Sequence, residues 1–546
     1  MIILFQLIPT LFCFNYEGII NRDLNHIMNE IINGSLPEGR LSIKDVENLF
    51  TELKSISNFV HSQIIGESYL NKTIYSYALC SNFTNQKPTI LITSLHHSRE
   101  VASLQMNIYL FLYLLWEVEH EQNPFYINMI NHNCILIVPF VNIDGYQEIE
   151  SEFNKHNLQP ITRKNLNRTI ACYQTDELAG IDLNRNYAYH FAHDNIGSSN
   201  DPCDETYRGS AAFSEKETQA IKYVVQNFNI KMAMNLHCFG NLWVLPYSYD
   251  NEELDKDGVP YLIYEDFKLN GHFVGHYQIG HAIELVKYTA NGEAADWMLS
   301  QGVIAISPEL GEQYYSNFFN NFYPDQEQTI KLLKNQFPPL IHFINYLPFQ
   351  PLIKQLYQYD LNEAQKLLNN QTSNKIYVVD IQCINHGVTN GNYQNFVVSN
   401  SVQLIEAFYI DLKYDQIIER EKIHNQQFIK IKIQNNTFST DQFPPRSQII
   451  YILIFQEVQI GSEVKFYFDL NGEKHSNTFT LTNFNYELKQ LKITSLYNLF
   501  YVSLLIILIV ILGIIIVKKK SKTIKQYHIT ELVEQRPENI DLNLQN

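Results

Sequence analysis

The sequence predicts an α/β domain in which helices cover a mixed β-sheet, followed by a β-sandwich-like module and one C-terminal transmembrane helix. Three observations support this prediction. Between residues 43 and 348, short apolar runs alternate with stretches of helical apolar spacing. Residues 349–495 contain many short segments of strand composition instead. Residues 499–517 carry no charge over about 28 Å of helix, close to the hydrocarbon thickness of a bilayer.

The first region has the pattern of interleaved strands and helices. Its apolar runs of buried-strand type are Thr89–Ser94, Cys134–Val141, Lys231–Leu236 and Val303–Ser307. Its stretches of helical spacing are Val101–Trp116, Glu215–Asn227 and Asp325–Leu347. His97, His237 and Glu309 each follow a strand run, so we expect them at one end of the sheet, where α/β folds form their sites.

The second region, residues 349–495, is predicted to be a β-rich module of sandwich type. Seven short segments have strand composition: Tyr377–Asp380, Phe396–Ser399, Ala407–Leu412, Phe428–Ile433, Ile449–Phe455, Val464–Leu470 and Thr478–Leu481. Asn471-Gly472 is typical of a hairpin turn.

Both ends of the chain carry membrane signals. Residues 1–15 contain an apolar run, Ile2–Phe14, that is too short to span a bilayer but has the length of a signal-peptide core. A lysine-rich stretch directly follows residues 499–517, which places the tail of residues 518–546 in the cytoplasm. We therefore predict a single-pass type I membrane protein whose main body is extracellular or lumenal.

The cysteine and asparagine content agrees with an oxidising compartment. Loss of Cys13 with the signal peptide leaves six cysteines, which permit fifteen pairings. Candidate glycosylation triplets begin at Asn33, Asn71, Asn82, Asn167, Asn370 and Asn435.

The charge of the chain bears on its partners. The formal net charge is −17, and the main body contains no run of basic residues. This balance argues against nucleic acid as a partner.

One histidine–glutamate pair and one distant histidine form a candidate metal site. His97 and Glu100 lie three residues apart after one predicted strand, and His237 follows another. Two imidazoles and one carboxylate leave the fourth position of a tetrahedral Zn²⁺ open, which is typical of catalytic rather than structural zinc. His96 competes with His97 for the first ligand position.

Further segments follow in an order that matches a known family. They are Asn142–Tyr146, Thr162–Asn165, Gly180–Tyr187, Cys203–Gly209, Leu236–Gly240, Tyr288–Gly292 with Asp296-Trp297, and Pro308–Leu310. Over residues 43–348 the chain resembles the zinc metallocarboxypeptidases of the pancreatic carboxypeptidase A and B type. The resemblance implies a mixed-sheet α/β carboxypeptidase domain and one Zn²⁺ per chain, and it favours His97 over His96 as the ligand beside Glu100 and His237.

The resemblance also implies catalytic roles. Glu309 would be the general base that takes the proton of the attacking water. Arg163 would stabilise the tetrahedral oxyanion. Arg168 competes for that role, because the spacer after Gly145 is longer than in the pancreatic enzymes.

Substrate-binding residues are implied in the same way. Asn184 and Arg185 resemble the pair that binds the terminal carboxylate, for which the guanidinium fork is suited. Arg99 corresponds to a subsite arginine that binds the upstream peptide. Tyr288 corresponds to the mobile tyrosine that closes over the bound residue.

Substrate preference and one disulfide complete what the resemblance implies. Ala295 matches the position that is apolar in A-type and aspartate in B-type enzymes, so we expect release of an apolar or neutral residue. Glu293 motivates the hypothesis that Lys or Arg is partly accepted. Cys172 and Cys203 lie where the family has a disulfide.

The sequence thus predicts a membrane-anchored zinc carboxypeptidase that removes single residues from the C-termini of peptides or proteins. Two alternatives stay open: an inactive carboxypeptidase-like receptor that binds peptide C-termini, and a relative that acts on another amide, such as a bacterial cell-wall peptide. The lead of residues 16–42 is too short for the folded pro-domain of the family's zymogens. We therefore expect an enzyme that needs no such activation.

Overall fold

A computed structural model describes residues 32–156, 162–175, 179–271, 277–312 and 321–348, and the paired strands between residues 351 and 480. The predicted signal peptide, residues 1–15, lies outside the described residues. So do the predicted transmembrane helix, residues 499–517, and the predicted tail, residues 518–546.

A nine-stranded mixed sheet lies at the centre of the first region. Its strands are β1 (Val60–Glu67), β2 (Thr73–Leu79), β3 (Thr89–Thr93), β4 (Cys134–Val138), β5 (Ile230–Asn235), β6 (His237–Cys238), β7 (Leu242–Leu245), β8 (Gln278–His281) and β9 (Ile304–Leu310). The order is β1-β2-β4-β3-β5-β9-β7-β8, and β6 pairs with β9. The pairs β3–β4, β3–β5 and β5–β9 are parallel, whereas β1–β2, β2–β4 and β7–β9 are antiparallel. The predicted mixed sheet is confirmed.

Helices connect and cover these strands. They are α1 (Ile43–Ile56), α2 (Val101–Glu119), α3 (Pro124–His132), α4 (Ile143–His156), α5 (Lys216–Asn227), α6 (Val259–Gly271), α7 (Ala282–Leu285), α8 (Ala294–Ser300) and α9 (Gln326–Ile344). Of the described helices, α2 alone is long and apolar enough to cross a membrane, and nearly all of its side chains are buried inside the domain. Its Tyr113 ring contacts the Phe337 ring of α9, with centroids 4.5 Å apart. The burial and this contact identify α2 as a core helix.

Local sequence signals fix several helix ends. Ser42 and Asp45 form a capping box at the start of α1, in which each side chain binds the other residue's main-chain N–H. Asp325 and Gln328 form the same arrangement at the start of α9. These caps satisfy main-chain donors that the first helical turn leaves without partners.

The predicted strand and helix segments of this region all coincide with observed elements, within a few residues at the ends. Strands β1, β2, β7 and β8 were not predicted from the sequence. Six of the eight positions in β1 are partly buried or exposed, so its apolar pattern is weak.

Two antiparallel sheets follow in the chain. Their strands are β10 (Pro351–Gln358), β11 (Ile376–Asn385), β12 (Gly391–Val398), β13 (Gln403–Lys413), β14 (Ile429–Ile431), β15 (Thr437–Phe443), β16 (Ser447–Gln456), β17 (Glu463–Leu470) and β18 (Glu473–Thr480). One sheet has the order β10-β11-β16-β13-β14 and the other β15-β12-β17-β18. All seven predicted segments overlap these strands, and Leu470 pairs with Glu473 on either side of Asn471-Gly472. The sandwich arrangement of the two sheets stays a prediction.

Two disulfides brace the α/β region. Cys172 and Cys203 are bonded, as the family resemblance implied. Cys80, at the end of β2, is bonded to Cys134, at the start of β4, a pairing that the sequence left open. Among the described cysteines Cys238 is free, and it is buried.

Three buried carboxyl groups lie near the starts of α4 and α5. Asp144 accepts a hydrogen bond from Leu70 N (2.8 Å), and Glu217 accepts one from Tyr69 N (3.0 Å). The third, Glu215, accepts from Asn165 Nδ2 at 2.8 Å. Burial, with the charges of the two neighbouring carboxylates, raises the pKa of Glu217 to about 7.

This elevated pKa predicts how stability changes with pH. The native state holds a proton on Glu217 that the unfolded chain releases near pH 4.5, so the contribution of this group to stability falls as pH rises from about 4.5 to about 7. The variant Glu217→Gln has no titrating group at this position, so it does not lose stability there as pH rises. Relative to the wild type, its free energy of unfolding should rise between pH 5 and pH 8 by up to about 3 kcal/mol.

Urea unfolding of both proteins at pH 5, 6, 7 and 8 measures this difference. The variant Glu52→Gln provides the matched control, because it makes the same chemical change at an exposed position on α1. A pH-independent difference for Glu217→Gln would show that the buried carboxyl keeps its ordinary pKa.

Candidate active site

The predicted metal ligands converge at one end of the parallel strands. His97 and Glu100 lie in the turn between β3 and α2, and His237 begins β6. All three are buried, and their ligand atoms lie within 4.8 Å of one another. A search of the described residues for groups of histidine, cysteine and acidic side chains that could hold a metal ion gives these three.

The donor set fits zinc. Nδ1 of His97 lies 2.7 Å from one oxygen of Glu100, and Nδ1 of His237 lies 2.9 Å from the other. Nε2 of His97 lies 3.0 Å from Asp182 Oδ1. A proton held on Nε2 by this carboxylate leaves the Nδ1 lone pair for a metal, which is how ligand histidines are commonly oriented.

His96, the competing candidate, has another partner. Its Nε2 lies 2.8 Å from the hydroxyl of Tyr187, and its ring is fully buried. The three converging ligand atoms therefore come from His97, Glu100 and His237.

Charge around the ligands is strongly organised. Burial alone would raise the pKa of Asp182, but the charges of Arg163 and His97 hold it well below its usual range. Burial alone would also raise the pKa of Glu100, but His97 and His237 together lower it below its ordinary value. Both carboxyl groups are thus ionised, as metal coordination and histidine orientation require.

Glu309, the predicted base, lies beside the ligands on β9. It is the register partner of His237 in the parallel β6–β9 pair, so the two side chains come from neighbouring strands. Burial, followed by the charge of Glu100, raises the pKa of Glu309 to about 8. His97 and Arg163 oppose this rise.

Arg163 and Arg168, the two candidates for the oxyanion role, lie in different surroundings. Arg163 donates to Asp182 Oδ2 from Nε (3.2 Å) and Nη2 (2.8 Å), and its Nη1 lies 3.2 Å from His97 Nδ1. Arg168 is exposed and pairs with Glu148 at 3.1 Å. Of the two arginines, the structure brings Arg163 to the ligands.

The predicted carboxylate-binding pair lies in a single 3₁₀ turn, Leu183–Arg185. Asn184 Nδ2 lies 3.3 Å from His237 Nε2, and its Oδ1 accepts from Ala294 N at 3.0 Å. Arg185 donates from Nε to Gly197 O (2.8 Å) and from Nη1 to Asn184 O (2.9 Å). No carboxylate in the described part of the chain forms an ion pair with Arg185, so its charge is available to an anionic ligand.

The predicted specificity residues lie at the start of α8. Ala295 is buried. Glu293 caps the helix: its Oε2 accepts from Asp296 N at 3.0 Å, and its Oε1 accepts from Ser307 Oγ at 2.6 Å. Ser307 and Glu309 are two residues apart on β9, so they point to the same face of the strand. Burial, followed by the charge of Glu293, raises the pKa of Asp296 well above its usual range.

The remaining two predicted residues lie toward the outside of the site. Arg99 donates to Glu205 Oε2 at 3.1 Å, and its guanidinium carbon lies 4.7 Å from the centre of the Phe322 ring. Tyr288 is 53% exposed, an open position for a side chain that is expected to close over a ligand.

Three residues that the geometry brings to the site are not predicted from the sequence: Asp182, Glu205 and Phe322. Asp182 lies two residues before Asn184 in the segment Gly180–Tyr187. A carboxylate so close to the predicted binding pair could have indicated it. Glu205 likewise lies in a quoted segment, but nothing in its spacing connects it with Arg99. Phe322 gave no sequence signal.

The fold and the site together define an α/β protein with a candidate zinc site at one end of its parallel strands. A sequence model described as "Zinc carboxypeptidase" matches residues 46–338, more than half of the chain. The chain belongs to the zinc carboxypeptidase family.

Individual relatives are more distant. Carboxypeptidase A1 of Sus scrofa is 29% identical over 242 residues, covering 44% of this chain and 54% of the relative. Carboxypeptidase B of Bos taurus is 28% identical over 262 residues, covering 45% and 56%. A crystal structure of thrombin activatable fibrinolysis inhibitor matches with a TM-score of 0.49 and 21% identity, covering 59% of this chain and 80% of that chain. The chain spans about half the length of the curated relatives it matches.

The hydrogen bond from His97 to Asp182 predicts a contribution to zinc affinity. In Asp182→Asn the amide keeps the size of the side chain but no longer holds the proton on Nε2 as a carboxylate does. We expect zinc affinity to fall by roughly 10- to 100-fold.

Competition with a zinc-binding dye measures that affinity. Glu205→Gln is the matched control, because it neutralises an acid near the site that touches no ligand, and it should bind zinc as the wild type does. Unchanged affinity in Asp182→Asn would show that the histidine is oriented without this carboxylate.

Proposed function

We propose that this protein is a zinc-dependent metallocarboxypeptidase that hydrolyses the C-terminal peptide bond of peptides or proteins and releases single residues. The observation that carries the proposal is the buried group of His97, Glu100 and His237 with Glu309 on the adjacent strand. A site that only bound peptide ends would have no use for a carboxyl of raised pKa, that of Glu309, beside a zinc site.

The chemistry follows from the positions of the side chains. Zinc, when bound, supplies Lewis-acid polarisation of a carbonyl or a water molecule. Glu309 accepts the proton of the attacking water and passes it to the departing amine. Arg163, between Asp182 and the ligands, stabilises negative charge on the reacting carbonyl oxygen.

Recognition of a chain end is the task of Asn184 and Arg185. Both contacts of the Arg185 guanidinium described above are to main-chain carbonyls, which orient the group without neutralising it. A buried cation of this kind suits the terminal carboxylate of a peptide. Tyr288 would cover the bound residue from the solvent side.

The pocket favours an apolar or neutral terminal side chain. Ala295 adds no charge, and both oxygens of Glu293 already accept hydrogen bonds within the protein. The charge of Glu293 is still close to the pocket, so partial acceptance of Lys or Arg stays a hypothesis.

The membrane topology is proposed from the sequence alone. We propose a signal peptide in residues 1–15 and a membrane anchor in residues 499–517, with the catalytic domain outside the cytoplasm. Two disulfides in the α/β region agree with an oxidising compartment.

Removal of the base should separate catalysis from metal binding. The variant Glu309→Gln keeps the side-chain volume but cannot accept the proton, so kcat on a blocked dipeptide should fall by roughly 10²- to 10⁴-fold while bound zinc stays at one per chain. Glu312→Gln, an exposed change just after β9, should leave kcat unchanged. An inactive wild type with a full zinc content would favour the binding-only receptor instead.

Substrate preference can be measured with blocked dipeptides that end in Phe, Leu, Lys or Glu. We expect kcat/KM to be highest for the peptides that end in Phe and Leu and lowest for the peptide that ends in Glu. The side-chain carboxylate of a C-terminal Glu would be repelled by the charge of Glu293. In Glu293→Ala, cleavage of the Lys peptide should fall about tenfold relative to the Phe peptide. An equal loss for both peptides would dismiss a role of Glu293 in binding a basic residue.

A further inference from the structure

Arg40 is a buried arginine outside the site, in the segment that precedes α1. It is 3% exposed, and no carboxylate in the described part of the chain forms an ion pair with it. Its Nη1 donates to Pro37 O at 2.8 Å, and its Nη2 donates to Tyr323 O at 3.0 Å and to Pro324 O at 2.9 Å. Its Nε has no hydrogen-bond partner in that part of the chain.

This arrangement is unfavourable for packing alone. Burial lowers the pKa of Arg40 from its ordinary value, since the charged form loses its hydration. The rings of Phe153 and Tyr323, with centres 5.4 Å and 5.8 Å from the guanidinium carbon, offset part of this loss. An apolar side chain of similar volume would fill the space without this loss of hydration. What arginine adds is the fixed position of two distant carbonyl groups.

Those carbonyls belong to a segment at the rim of the site, Phe322–Pro324, here called the rim segment. The Phe322 ring is buried between two features of the site. Its centre lies 4.7 Å from the guanidinium carbon of Arg99 and 5.0 Å from the ring centre of Phe239, which follows β6. Arg40 is therefore connected to Arg99 through the rim segment: Arg40 binds its carbonyls, and the Phe322 ring contacts Arg99.

We propose that Arg40 is a positioning residue for the subsite that binds the peptide upstream of the scissile bond. By fixing the carbonyls of the rim segment, it fixes the Phe322 ring, and that ring sets the plane of the Arg99 guanidinium. The proposal rests on the proposed function and extends it to a residue of the segment before α1, outside the candidate site.

The readout is the advantage of a long substrate over a short one. A blocked dipeptide occupies the site on either side of the scissile bond, whereas a blocked tetrapeptide with the same last two residues adds upstream amides that reach Arg99. In Arg40→Met the ratio of kcat/KM for the tetrapeptide to that for the dipeptide should fall at least about fivefold, mainly through KM. Arg40→Lys, which keeps a charged donor, should recover part of the ratio.

A double-mutant cycle tests whether Arg40 acts through Arg99. Arg99→Met should lower the same ratio, and the variant that combines Arg40→Met with Arg99→Met should lower it no further. Gln326→Ala is the matched control. It removes a bond from Gln326 Nε2 to Ile32 O (2.9 Å), which ties the same N-terminal segment to α9 without touching the rim segment, and the ratio should not change.

Two results would overturn the proposal. One is an equal fall in kcat/KM for both peptides in Arg40→Met, which indicates a general structural role. The other is an additive fall in the combined variant, which indicates independent action. Should Arg40→Met fail to fold, Arg40→Gln takes its place with the same two criteria. A wild type that cleaves neither peptide overturns the proposed function, and a wild type that cleaves both without a length advantage overturns this proposal alone.

Discussion

The carboxylate of Glu100, held between the imidazoles of His97 and His237, is the interaction on which the rest of the site depends. An isolated buried carboxylate is strongly unfavourable, so its position is only stable with partners on both oxygens. The buried Asp182 and the half-buried Glu309 add two more carboxyl groups near the same ligands. Each responds differently: the pKa of Asp182 is lowered by contact with a guanidinium, while the pKa of Glu309 is raised by burial and by Glu100. A divalent cation bound here would stabilise the ionised form of these carboxyl groups.

The backbone makes this concentration of charge possible. Parallel strands end at the same edge of the sheet, so residues far apart in the chain meet there, and the β6–β9 register sets His237 directly beside Glu309. Glu100 is also the N-cap of α2, yet its side chain makes no capping bond. Its oxygens contact the two imidazoles instead, so the helix loses a cap that a Ser or Asp would provide. The negative charge at the helix N-terminus offsets part of that loss.

The sequence predicted those elements of the structure that have a characteristic residue pattern. Buried parallel strands are continuous apolar runs, and β3, β4, β5 and β9 were found on that basis. The zinc ligands and Glu309 came from residue types and spacing together with the family resemblance. Partly exposed strands such as β1 carry no comparable pattern. The role of Asp182 depends on which nitrogen of His97 faces the carboxylate, and spacing does not encode the orientation of a ring. The place of Phe322 depends on contacts with Arg99 and Phe239, which lie in segments that are distant from it in the sequence.

The residues directly before α1 contribute side chains to the core of the α/β region. Residues 16–42 are polar enough to be interpreted as a lead, and the catalytic domain was predicted to begin at Ile43. Yet Leu36 and Leu41 belong to the hydrophobic core, and Arg40 is buried against main-chain carbonyls of the segment that precedes α9. A chain cut just before Ile43 would leave cavities at both leucine positions, and it would lose the Ser42 cap of α1. A buried charge and two buried leucines thus make residues just before α1 part of the core that supports the site.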